Sequence, residues 1–185
     1  MVLPIHSSNC QTCGTRPRYT MMSVMQSHSF PYDMTKHPKR ELNTADDYNV
    51  IAKKCFEHAE GFRIICFRCC DMLVSHDLPA LATNLAFACE LYMKSILFNR
   101  KIDCRDTHDL YGLYELLETE DKKQIRQLRT RKMEKEEFEL TLKENRKAFV
   151  IFRYLYERTS MVSDIQFLSE LMDRCREIGK EDIKP

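Results

Sequence analysis

Glu90 and Lys94 stand four residues apart, and Arg153 and Glu157 repeat that spacing in the C-terminal half of the chain. On a helix each pair shares one face, where opposite charges attract and contribute about 0.2–0.5 kcal/mol. Bulky apolar neighbours flank both pairs, which predicts burial rather than free solvation. With His108 and Tyr154 they are read as a partly buried polar network, Glu90, Lys94, His108, Arg153, Tyr154 and Glu157, that fixes helix register. The competing reading is a ligand site, because converging charges also shift proton affinities where chemistry is done. Ion-pair networks do the same without catalysing anything, and the structural reading is preferred.

A second feature is the run from Lys122 to Lys132, in which Lys122, Lys123, Arg126, Arg129, Arg131 and Lys132 bring six cations into eleven residues. It is the local patch suited to a phosphate backbone, and its six cations are the candidate RNA contacts. Glu134, Glu136, Glu137 and Glu139 follow directly and offset it, so a solvated surface is the favoured reading. Cys10 and Cys13, with His6 and His28 nearby, form half of a zinc-type ligand set. A structural zinc ion needs a second closely spaced pair. Cys66, Cys69 and Cys70 fall on a predicted helix and read as small core hydrophobes, so no metal and no cofactor is expected. A Gly-rich phosphate loop, a Gly-x-Ser-x-Gly elbow and a His-Glu-x-x-His pair are all absent, which removes the nucleotide-hydrolase, esterase and zinc-protease readings.

The elements that must position these residues are helices. In 185 residues there are four Gly, six Pro and no Trp, with 43% hydrophobic and 31% charged residues, a composition suited to one all-α domain. The net charge of +1 gives no bulk field toward nucleic acid. An odd count of nine Cys and the lack of a signal-type or membrane-length apolar stretch point to a soluble, unprocessed, cytoplasmic protein.

Residues 1–43, rich in Ser, Thr, His and Pro, predict a poorly ordered arm. A long amphipathic helix then starts at Asn43 or Thr44 and ends near His76, before Pro79. Its stripe is Tyr48, Ile51, Ala52, Cys55, Ala59, Phe62, Cys66, Cys69 and Leu73. Pro79 to Phe98 reads as the most buried helix. Leu110, Leu113 and Leu117 share one face of a short helix capped by Asp106 or Thr107. Thr119 to Lys135 is a solvated helix or a connection. A second long helix spans Glu134 to Arg158, with Phe138, Leu142, Phe149, Phe152 and Tyr156 inward and Asn145 the polar exception. The last helix is capped by Ser163 and stops at Gly179. The expected architecture is an up-and-down bundle of four to five main helices over 44–179, with a short tail at 180–185.

Three pieces carry a family likeness. Ala88-Cys-Glu-Leu-Tyr-Met-Lys-Ser95 is followed a dozen residues later by Thr107-His-Asp-Leu-Tyr-Gly-Leu113, and then by Phe149-Val-Ile-Phe-Arg-Tyr-Leu-Tyr-Glu157. In order and spacing they resemble the HEPN family. The resemblance implies a helical bundle, commonly a homodimer, in a family that holds toxin and antiviral-defence ribonucleases beside non-catalytic members.

The ribonucleases of that family carry an Arg followed after four to six residues by a His, so that a guanidinium holds phosphate while an imidazole moves protons. No Arg here has a His at that spacing. Lys101 and His108 have six residues between them, which makes them the weak catalytic candidates, but an ammonium does not replace the guanidinium fork. The preferred expectation is a non-catalytic module that dimerises or binds a protein or RNA partner, with no membrane. The alternative is a metal-independent ribonuclease with a displaced dyad.

Overall fold

Thr44 opens the first helix through a reciprocal cap. Its Oγ1 accepts from the Asp47 N–H (3.2 Å) while Asp47 Oδ2 accepts from the Thr44 N–H (3.1 Å), which satisfies two donors left open by the first turn. From there the computed structural model describes residues 41–70, 78–149 and 164–183, all within one compact unit, Arg40–Pro185. Its elements are α1 (Ala45–Cys70), α2 (Leu78–Asn99), α3 (Leu110–Leu116), α4 (Thr119–Arg126), α5 (Lys135–Asn145) and α6 (Ile165–Asp182). The described residues are all-α, as composition and periodicity predict. Residues 1–40 of the arm expected over 1–43, and the continuation of α1 to His76, lie outside the described residues.

Cross-helix pairs fix the directions. Tyr48 meets Phe98, Ser95 Oγ donates to the Ala52 carbonyl (2.8 Å), Phe56 meets Tyr92 and Phe62 meets Phe87. As the α1 number rises the α2 number falls, so the two helices are antiparallel. Glu60 with Arg176 and Arg63 with Asp173 give the same sense for α1 and α6, which places α6 parallel to α2. Three long helices thus share one core, with α2 in the middle. Leu85, Ala88, Cys89, Tyr92, Met93 and Ile96 are fully or almost fully buried. That matches the expectation of a central helix with only a narrow polar face.

Three helices differ from expectation at their boundaries. The N-cap of α3 is Asp109, whose Oδ1 accepts from the Gly112 N–H (3.0 Å), not Asp106 or Thr107. His108 and Asp109 must stay extended before the helix begins, because the Leu110 N–H donates to the Arg146 carbonyl (3.1 Å) rather than entering a helical ladder. The long helix expected from Glu134 to Arg158 is interrupted at the carbonyl that takes this bond: α5 ends at Asn145, Arg146 and Lys147 form a turn, and helix resumes at Ala148. Asn145, the polar exception in the stripe, occupies this break. Its Nδ2 donates to the Thr141 carbonyl (2.9 Å) and its Oδ1 accepts from the Asp164 N–H (3.2 Å). Phe152 and Tyr156 lie outside the described residues.

The third difference concerns α6. Asp164 caps it, accepting from the Phe167 N–H (2.9 Å), one residue later than the expected Ser163. The helix continues past Gly179 to Asp182. Gly179 is no stop but a close approach, since a Cβ there would lie 3.2 Å from the Phe56 ring. The charged stretch after α3 resolves into the short helix α4, anchored by the buried Ile125, and an irregular connection, bent at Arg129 and Thr130, that runs to Glu134.

Candidate functional site at the Glu90 cluster

The C-terminal half of α2 carries polar groups into the core. Glu90 is 2% exposed and Lys94 7%. They pair as expected, Lys94 Nζ lying 3.0 Å from Glu90 Oε1, and burial makes the pair more consequential than its surface counterpart. His108 reaches the same oxygen across the loop between α2 and α3, with Nδ1 2.9 Å from Glu90 Oε1. A carboxylate only accepts, so Nδ1 carries the hydrogen and Nε2 faces outward on a side chain that is 64% exposed. Lys94 also donates to the Arg105 carbonyl (3.4 Å). Glu90 Oε2 is buried without a hydrogen-bond partner among the described residues.

Two thiols flank this cluster. Burial pushes Cys55 up to about 11 and Cys104 up to about 12, with the Lys94 charge lowering both less strongly. Both therefore stay protonated at neutral pH and act as small packing groups rather than as nucleophiles or metal ligands. Among the described residues, no group of three His, Cys, Asp or Glu is arranged to hold a metal ion. Cys10, Cys13, His6 and His28 lie outside the described residues.

Three of the six expected network members, Glu90, Lys94 and His108, meet; Arg153, Tyr154 and Glu157 lie outside the described residues. Lys101 and His108 do not share a target. Lys101 takes φ 62° just after α2, and its Nζ donates to the Ala45 carbonyl (3.3 Å) and to Asn49 Oδ1 on α1. Its backbone closes the helix: the Lys101 N–H donates to the Phe98 carbonyl (3.0 Å) and the Ile102 N–H to the Leu97 carbonyl (2.9 Å). This is the double hydrogen bond that normally places glycine in the left-handed position.

The basic run is occupied by the chain itself. Lys122 donates to the Glu115 carbonyl (2.8 Å), Lys123 pairs with Glu120 (3.3 Å) and Arg126 donates to the Tyr114 hydroxyl (2.9 Å). Arg129 pairs with Glu177 and Arg131 with Asp164, while Lys132 is exposed. Burial pushes the Glu177 carboxyl up, but the hydrogen bond and charge of Arg129, helped by Arg174, outweigh it and hold the group below the usual carboxylate range.

Several of these contacts escaped the sequence. Arg146 Nε lies 3.0 Å from Asp109 Oδ2, bracing the His108–Asp109 segment, and Arg100 bridges Asp121 (3.0 Å) and Asp182 (2.9 Å). Tyr92 donates to Glu60 Oε1 (2.6 Å), which Arg176 also holds. These partners are separated by 21 to 116 residues, and no local spacing announces them.

No helix among the described residues is long and apolar enough to cross a membrane. No curated protein and no solved structure matches the chain. The family model described as HEPN domain matches residues 71–183, from just after α1 to the end of α6, and so takes in the whole Glu90 cluster. This chain belongs to the HEPN domain family.

Proposed function

We propose that this chain is a non-catalytic HEPN module that associates with itself or with a protein or RNA partner through the faces of its bundle. The observation that carries the reading is the separation of Lys101 from His108. The basic residue and the histidine nearest to a ribonuclease spacing are tied to different elements, Lys101 to α1 and His108 to Glu90. A phosphate holder and a proton carrier must converge on one reacting group to act together. The cations of the basic run bear on the choice of partner: Arg126, Arg129 and Arg131 are engaged by Tyr114, Glu177 and Asp164 and must break those contacts to hold a phosphate backbone, which favours self-association or a protein partner over RNA. Size-exclusion chromatography with light scattering tests self-association. A mass near twice the 22.0 kDa chain supports a homodimer, and a strict monomer at high concentration leaves only a separate partner.

One observation favours the second reading, a metal-independent ribonuclease. His108 is a solvent-facing imidazole aligned by a buried carboxylate, the arrangement in which a histidine serves as general acid or base. In that reading Glu90 orients the ring and Nε2 exchanges the proton. Its mark is RNA cleavage that is lost in His108→Ala.

A further inference from the structure

We draw no further inference here: the strongest candidate, the small apolar cavity between α1, α2 and α6 lined by Cys66, Leu81, Leu85, Ile165 and Met172 with the half-exposed Phe67, carries nothing, because nothing in the structure shows what covers it.

Discussion

Lys101 shows how a single residue answers to two demands. Its left-handed backbone costs about 1 kcal/mol relative to glycine, while its ammonium ties the end of α2 to the first turns of α1. Two variants separate these effects. Lys101→Ala keeps the strain and loses the tie; Lys101→Gly loses both. Denaturant unfolding is expected to show Lys101→Gly more stable than Lys101→Ala by about 1 kcal/mol, and the reverse order would contradict the backbone account. Glu90 carries a larger load. Glu90→Leu leaves the Lys94 ammonium buried without its carboxylate and is expected to cost about 3–5 kcal/mol, whereas Glu90→Leu with Lys94→Met recovers most of that loss. His108→Ala, on the exposed side of the same cluster, is expected to cost under about 1 kcal/mol. A double variant no more stable than Glu90→Leu alone would show that the ion pair is not the brace. The Glu90–Lys94 pair was legible because four residues is one helical turn. Its link to His108, eighteen residues away, was read as part of a buried polar network without any local spacing to fix it, and its bond to the Arg105 carbonyl had no signal in side-chain types at all.

At the level of elements, periodicity located the helices and long-range polar contacts moved their ends. The stripe of α1 and the apolar breadth of α2 were readable because burial repeats every three or four residues. The start of α3 was not. Asp106, Thr107 and Asp109 are all competent caps, and what selects Asp109 is the Leu110 bond to the Arg146 carbonyl, a partner 36 residues on. A glycine read as a stop proved to be a contact with Phe56, since a helix interior and a helix end look alike when the residue is judged alone. The cap of α6 gives a direct check. Asp164 both accepts from the Phe167 N–H and pairs with Arg131. Asp164→Ala is expected to cost about 1–2 kcal/mol, and Asp164→Ser to recover much of it because a serine hydroxyl can still cap. Equal losses for both variants in thermal or denaturant unfolding would assign the effect to the ion pair instead.

The described helices and the connection between α4 and α5 are tied together by carboxylates that reach across elements. Glu60 is held below the usual carboxylate range: burial pushes it up, but hydrogen bonds from Arg176 and Tyr92 outweigh that push. Glu170 is lowered in the same way, by the Thr130 hydroxyl and N–H and by Gln166. With Glu177, these groups bind protons more weakly in the folded chain than in the unfolded one. Their stabilisation is therefore complete above the unfolded-chain value of about 4.3 and is lost as pH falls through the lower folded values. Denaturant unfolding is expected to be nearly flat from about pH 7 to pH 5 as far as these groups are concerned, and to weaken steeply below about pH 4. Glu60→Gln should make that acid loss shallower; an unchanged slope would remove Glu60 from the account.

The same helices bring the Glu90 cluster together and keep Lys101 and the basic run engaged elsewhere, and on this ground we propose a HEPN module that binds rather than cleaves. The most direct test incubates total RNA with equal amounts of folded wild-type protein and His108→Ala in chelator-treated buffer. The account predicts the same intact RNA profile for both proteins over hours. Cleavage by the wild type that disappears in His108→Ala would contradict it and establish His108 as a catalytic acid–base group.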